Sequence, residues 1–180
     1  KAWPTSKISA ETQKERKAGS GQTLTGLGSY WKGRKPLILT RACVLASLMP
    51  VTEDLGRDVE IFEKLMGFDE RGMSRRLPKA KQHLLRASYD EQVAAAKRPE
   101  EMSEAELLAG IWGEADAHLG TPAGSLIELV EQLGIMRFGR RPKLADTFSG
   151  SGSVPFEAAR MGCDVYASDL NPVAGMLTWG

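Results

Sequence analysis

The chain is poor in the residues that build metal sites and disulfide frameworks. Its 180 residues include only two cysteines, Cys43 and Cys163, and two histidines, His83 and His118. A zinc site needs a set of cysteine or histidine ligands at characteristic spacings, and a disulfide-bonded fold needs several paired cysteines. Neither class of protein is indicated, and a reducing, cytoplasmic setting is the natural expectation.

Long apolar runs and consecutive prolines are also missing. No stretch approaches the roughly 18 apolar residues of a membrane helix, and no signal pattern opens the sequence. The dipeptide Pro-Pro does not occur. With 42% hydrophobic residues the chain can still bury a core, and its length suits one domain plus part of another.

Charge is nearly balanced overall but is unevenly distributed. Residues 1–41 carry nine lysines and arginines against two glutamates, and residues 71–98 carry eight against two acidic residues. Residues 53–70 and 99–131 are acidic. Basic segments attract phosphate backbones through counterion release, so the two basic segments are candidate DNA-facing surfaces. Solvated helix faces that pair with the acidic segments would explain the pattern equally well.

Apolar periodicity divides the chain into three regions. Residues 1–34 are polar and glycine-rich, which predicts an extended basic segment. Residues 35–136 predict a helical region. Its expected helices are one entered through Pro36, one from Asp54 to Met66 ended by Gly67, one over about 79–97, one from the Ser103 capping box to Leu119, and one from Thr121 to about Gly134. Residues 137–180 form the third region.

The third region reads as a short strand, a glycine loop, a helix and a second short strand. The first strand ends on Asp146, the loop contains Gly150 and Gly152, and the second strand ends on Asp169. Glycine permits positive φ and lets a ligand approach the backbone. A carboxylate at the end of the second strand can accept the hydroxyl hydrogens of a ribose. The pattern predicts the first half of a nucleotide-type site, although a glycine turn without a ligand is the simpler alternative.

The loop favours S-adenosylmethionine over a dinucleotide. A dinucleotide fingerprint needs a third small residue, and Pro155 stands at that position. Asp146 would repel a pyrophosphate but suits the cationic amino and sulfonium groups of S-adenosylmethionine. Trp31 and Arg34 form a second candidate group, because an aromatic ring can stack on adenine and a guanidinium can pair with the ligand carboxylate. Trp31 as a loop anchor, with Arg34 in solvent, is the alternative.

The loop also resembles a known family. Asp146 to Ala158 reads D-T-F-S-G-S-G-S-V-P-F-E-A and is similar to the D-P-F-x-G-x-G-S-x-P-x-E-A signature of amino-group DNA methyltransferases. Ser168 to Ala174, S-D-L-N-P-V-A, resembles the segment that follows it in adenine-specific DNA methylases with an uncharacterised N-terminal domain, some of them associated with phage defence. The N-terminal landmarks that resemble this narrower group are Trp3-Pro4, Ile8-Ser9, Glu15-Arg16-Lys17, Thr23-Leu24, Tyr30-Trp31, Arg34-Lys35-Pro36-Leu37 and Arg41-Ala42.

The chain departs from the family pattern at three places. Thr25-Gly26 stands where the group has a histidine, and Thr147 stands where the loop usually has a proline. The [D/N/S]-P-P-[Y/F/W] tetrapeptide that holds the target base in amino methyltransferases is absent from the 180 residues. We therefore expect an N-terminal fragment, inactive alone, whose parent supplies the base-holding half.

The resemblance implies an α/β fold in which a mostly helical region precedes the first two strands of a Rossmann-like, S-adenosylmethionine-dependent methyltransferase sheet. It implies transfer of a methyl group to adenine N6 in DNA, in restriction-modification or phage defence, with DNA and defence-system proteins as expected partners. The implied cofactor residues are Asp146, Phe148, Gly150, Gly152, Asp169, Leu170, Trp31 and Arg34. Two alternatives stay open: an RNA guanine-N2 methyltransferase, and a non-catalytic nucleic-acid-binding or scaffold protein of a defence system.

Overall fold

The computed structural model describes residues 3–17 and 34–179. The α-helices are α1 (Thr5–Lys17), α2 (Leu37–Leu48), α3 (Leu55–Met66), α4 (Glu70–Arg76), α5 (Tyr89–Ala95), α6 (Glu104–Leu107), α7 (Trp112–Leu119), α8 (Leu126–Phe138), α9 (Ser153–Arg160) and α10 (Pro172–Trp179). Two 3-10 segments, Lys79–Arg86 and Pro99–Glu101, and two strands, β1 (Lys143–Asp146) and β2 (Asp164–Ala167), complete the described elements. Within the described ranges, no helix has both the length and the apolar character needed to cross a membrane.

The predicted fold class is wrong. Helices account for 64% of the described residues, which contain only two parallel strands of four residues each, so the start of a Rossmann-like sheet is not present. The reason is that the helices supply most of the buried apolar side chains of the core. Leu144 and Val165 of the strands are only partly buried. The described part of the chain is a helical body with one small β-α-β unit.

The helical body is organised around α2. Eight of its residues are buried, and α2 packs against α1, α3, α8 and α9. Leu45 on α2 and Leu129 on α8 are 0% exposed. Pro36 stands at the N-cap, as expected from a proline that presets φ at a helix start. Because α9 follows the glycine loop, α2 connects the helical core to the candidate site.

Helix α1 corrects the expectation of an extended N-terminal segment. Residues 5–17 lack an apolar helical stripe, which is why the sequence predicted no helix there. The structure stabilises the helix through buried ion pairs instead: Glu11 lies 2.7 Å from Arg76, and both side chains are almost completely buried. Tyr89 donates a further hydrogen bond to Glu11 at 3.0 Å. Charge pairing with distant residues replaces hydrophobic periodicity in this helix.

Local caps determine several helix ends, and one predicted helix is broken by such a cap. The Asp54 carboxylate accepts a hydrogen bond from the Arg57 N–H, and Gly67 ends α3 in the left-handed region at φ 68°, which confirms that helix. The continuous helix expected over residues 79–97 is wrong. Ser88 and Glu91 form a capping box that starts α5 there and separates it from the 3-10 segment.

The two helices expected after Ser103 also differ from the structure. The Ser103 capping box is confirmed, but α6 ends at Leu107, and Gly110 adopts φ 72° before α7 begins. Helix α8 begins after Ser125, whose side chain caps it, and ends at Gly139. Gly134, the predicted end, lies inside α8. A Cβ there would lie 2.4 Å from the Pro142 ring, so this glycine permits close packing instead of terminating the helix.

The two strands bring their carboxyl ends together. β1 and β2 are parallel, with Asp146 opposite Ala167, and α9 connects them. Asp169 follows β2 by two residues, so Asp146 and Asp169 lie at the same edge of the small sheet. This edge also carries the glycine loop.

Candidate functional site

The glycine loop between β1 and α9 depends on two left-handed glycines. Gly150 has φ 54° and Gly152, the N-cap of α9, has φ 73°. Other L-residues rarely adopt such angles, so both positions favour glycine. The Ser149 N–H donates to the Ser168 carbonyl at 3.0 Å, which ties the loop to the segment after β2. The loop is therefore a defined backbone conformation.

Asp169 is joined directly to the loop. Its carboxylate oxygens accept the N–H of Gly150 and the N–H of Asn171, each at 2.8 Å. These backbone donors, Asn171 first and then Gly150, lower the pKa of Asp169 below its usual value. Each oxygen bears one of these bonds, and a carboxylate oxygen can accept a second, so Asp169 keeps acceptor capacity for a hydroxyl.

Arg34 and the glycine loop border the same cavity, which has a volume of about 390 Å³. This volume lies within the range of small-molecule sites. The residues that line it are Arg34, Lys35, Leu144, Ala145, Asp146, Phe148, Ser149, Gly150, Ser151, Ser153 and Val154. The structure thus places Arg34 beside the loop, although 113 or more positions separate Arg34 from the loop residues in sequence. Trp31 lies outside the described residues.

Charges of both signs border the cavity. Arg34 and Lys35 supply cationic groups, and Asp146 supplies a carboxylate at the end of β1. The Asp146 Oδ1 accepts the Phe148 N–H at 3.2 Å, which fixes the carboxylate at the loop entrance. Such a cavity can pair with the carboxylate of an amino acid group and with a neighbouring cation on the same ligand.

Of the two apolar residues predicted at the site, Phe148 lines the cavity and Leu170 does not. Phe148 lines the cavity and is 73% exposed. Leu170 is 89% exposed and is not among the residues that line the cavity. Gly152 is also not among them; a Cβ there would lie 3.3 Å from the Thr178 backbone, so its role is the approach of α10 to the loop.

Sequence patterns missed the buried ion pairs behind the loop. Arg41 on α2 donates to Glu157 on α9 at 2.7 Å, and the Glu157 side chain is 0% exposed. Arg160 pairs with the second oxygen of Glu157 at 2.9 Å. Glu157 lies one turn from Ser153 at the start of α9, so these pairs fix the helix that follows the loop. A glutamate and an arginine 116 positions apart leave no local signal of their pairing.

A second buried acid lies near this network without hydrogen-bond partners. Neither carboxylate oxygen of Glu100 has a hydrogen-bond partner, although Arg98 Nε lies 3.5 Å away. The pKa of Glu100 is raised from 4.5 to about 7, with burial as the largest cause. Its own backbone N–H and the charges of Arg98 and Arg41 lower the pKa, whereas the charge of Glu15 raises it. Burial therefore favours the protonated form of Glu100.

One of the two histidines contacts a buried carboxylate. His118 Nε2 lies 2.7 Å from the Asp58 carboxylate, which also accepts the Thr52 hydroxyl hydrogen at 2.8 Å. These bonds join α3 to α7. The described part of the chain contains no cluster of three or more metal-ligating side chains.

Many of the basic side chains make internal contacts. Several pair with the acidic segments or with α1, including Arg71 with Glu114 and Arg76 with Glu11. Arg75 donates to the carbonyls of Leu107 and Ala109. The alternative of internal pairing thus applies to these residues. Within residues 3–17, 34–41 and 71–98, the exposed basic residues with no ion pair to a described residue are Arg16, Lys17, Lys35, Lys79, Lys81, Arg86 and Lys97.

Comparison with known protein families gives a match over the N-terminal part of the chain. A family model described as "Protein of unknown function (DUF1156)" matches residues 2–65. The matched segment covers about a third of the chain and includes Arg34, Arg41 and Glu15, but ends before the glycine loop. No curated protein and no solved structure matches the chain.

Proposed function

We propose that the cavity beside the glycine loop binds S-adenosylmethionine. The observation that carries this proposal is that Arg34, Lys35 and Asp146 border one cavity with the loop. This donor set fits the ligand: the cationic residues suit its carboxylate, and Asp146 suits its amino and sulfonium cations. Asp169 is not among the residues that line the cavity, but it accepts the N–H of the lining residue Gly150 and keeps lone pairs for ribose hydroxyls.

The reaction that we propose is methyl transfer to the exocyclic N6 of adenine in DNA. Its support is the resemblance of Asp146 to Ala158 and Ser168 to Ala174 to DNA amino methyltransferases. Enzymes that modify a base in duplex DNA flip it into a pocket, where it is held against the reactive group. Because the 180 residues contain no [D/N/S]-P-P-[Y/F/W] tetrapeptide, we assign cofactor binding to them and expect them to transfer no methyl group on their own.

We propose DNA as the partner of the exposed basic residues. Lys79, Lys81 and Arg86 lie on the 3-10 segment, and Lys97 follows α5, which packs against that segment. All four are exposed, so they can contact phosphates without breaking an internal ion pair. Replacing Lys79 and Lys81 by alanine is expected to weaken DNA binding and to reduce its dependence on salt.

Titration calorimetry with S-adenosylmethionine, S-adenosylhomocysteine and NAD tests the cofactor proposal. We expect both adenosyl compounds to bind and NAD not to bind. Asp169→Ala is expected to weaken binding by about tenfold to a hundredfold, because a charged hydrogen-bond acceptor and the tether to Gly150 are lost. Asp164→Ala, at the opposite end of β2, is the matched control and should bind like the parent protein. Binding of NAD as tight as that of S-adenosylhomocysteine would refute the proposal.

A further inference from the structure

Two buried glutamates of α1 contact different parts of the protein. Glu11 and Glu15 are one helical turn apart, and each is 2% exposed. Glu11 pairs with Arg76, away from the cavity. Glu15 accepts three hydrogen bonds at the start of α2: from Arg34 Nη1 at 3.1 Å, from the Leu37 N–H at 2.9 Å and from the Ile38 N–H at 3.1 Å.

One carboxylate therefore performs two tasks. It caps the N-terminus of α2, where backbone N–H groups lack helical partners. It also accepts a hydrogen bond from the guanidinium of Arg34. Arg34 is one of the residues that line the cavity, whereas Glu15 is not. A guanidinium has five N–H donors, so the bond to Glu15 leaves donors for a ligand.

We propose that Glu15 is a positioning residue for ligand binding: it holds the Arg34 guanidinium at the cavity, where the guanidinium pairs with the carboxylate of an amino-acid-bearing ligand. This inference rests on the proposed function. It adds a residue that touches no ligand and acts through Arg34.

Two opposing effects of Glu15 must be weighed. Its negative charge competes with a ligand carboxylate for Arg34, and its bond reduces the freedom that Arg34 loses when the ligand binds. Two N–H groups at the positive end of α2 share the Glu15 charge, which weakens the competition. Immobilising a long side chain costs enough to change affinity by about three- to tenfold. We therefore expect removal of the Glu15 charge to weaken binding by about that factor.

The test compares two ligands and four proteins by calorimetry. S-adenosylhomocysteine carries the carboxylate, and 5′-methylthioadenosine lacks it. Glu15→Gln is expected to lose about three- to tenfold in affinity for the first ligand and none for the second. In the Arg34→Ala background, Glu15→Gln should cause no further loss, because residues that act through one contact are not additive.

Matched variants separate this role from stability. Glu11→Gln, in the same helix and equally buried, should lower the melting temperature and leave the affinity ratio of the two ligands unchanged. Arg34→Lys provides a second arm should Glu15→Gln fail to fold. A lysine lacks the planar fork that reaches two carboxylates at once, so Arg34→Lys should also weaken S-adenosylhomocysteine selectively.

The outcomes distinguish this inference from the cofactor assignment. Failure of the parent protein to bind S-adenosylhomocysteine overturns both. If the parent protein binds, three results overturn the role of Glu15 alone. Glu15→Gln could weaken the affinity for both ligands equally, or it could bind more tightly than the parent protein. The third result is an additive loss of affinity in the double variant.

Discussion

Replacing Glu100 by glutamine is expected to make the protein more stable at alkaline pH. The Glu100 side chain is 3% exposed, and neither of its oxygens has a hydrogen-bond partner. Ionising such a group within the protein is unfavourable, because the charge loses its hydration. Glutamine has nearly the same shape and cannot ionise, so it removes this cost.

The direction and the size of this change in stability follow from the pKa of Glu100. Burial, reinforced by Glu15, raises the pKa of Glu100 from 4.5 to about 7. The folded protein therefore binds the proton more tightly than the unfolded chain does. The stability gained from this proton is complete below pH 4.5 and is lost as the pH rises towards 7. The shift in pKa corresponds to about 3 kcal/mol of unfolding free energy. The difference in unfolding free energy between Glu100→Gln and the parent protein should therefore increase by about 3 kcal/mol, in favour of the variant, from below pH 4.5 to pH 8.

Urea unfolding of both proteins at several pH values between 4.5 and 8 measures this difference. The curves of unfolding free energy against pH should diverge, with the glutamine variant falling less steeply. Exposed Glu53, replaced in the same way, is the control for loss of one carboxylate. Parallel curves, or a glutamine variant that loses stability relative to the parent protein as the pH rises, would show that Glu100 is already ionised in the folded protein at low pH.

Two further predictions concern packing around the site. Gly134→Ala should destabilise the protein by about 1–3 kcal/mol, since the new Cβ would meet the Pro142 ring and backbone; chemical denaturation measures it, and an unchanged midpoint would contradict the close approach. Arg41→Ala should lower the free energy of unfolding by about 3–5 kcal/mol, because it leaves the fully buried Glu157 with one exposed partner. Arg160→Ala should lower it by less than about 1 kcal/mol. Equal losses for the two arginine variants in thermal melts would reject this ranking.

Local backbone chemistry was readable in the sequence. Helix α3 begins after Asp54 and ends at Gly67, as predicted. An N-terminal cap needs only a side-chain acceptor, and a C-terminal cap needs only a residue that tolerates positive φ. The order of strand, glycine loop with Gly150 and Gly152, helix and second strand also agrees with the structure. The cofactor roles of these residues stay predictions.

Break points inside helical patterns were less predictable. Ser88 interrupts residues 79–97 because its capping box with Glu91 satisfies the backbone donors of a new helix start. Gly134 could have ended α8 by its conformational freedom, but Pro142 packs against it and the helix continues to Phe138. The same residue type can terminate a helix or permit a close contact, and only its neighbours in space determine which.

By itself, the sequence determined the features that depend on neighbours along the chain: helix caps, left-handed glycines and the order of strand, loop and helix. The tertiary structure decided the fold class and the composition of the site. Helix α1 forms because Glu11 and Glu15 find partners far along the chain, and Arg34 reaches the loop because Glu15 holds it. Charge pairing has no period and no fixed spacing, so the partners of Glu15, Arg41 and Glu157 become identifiable only when the chain is folded.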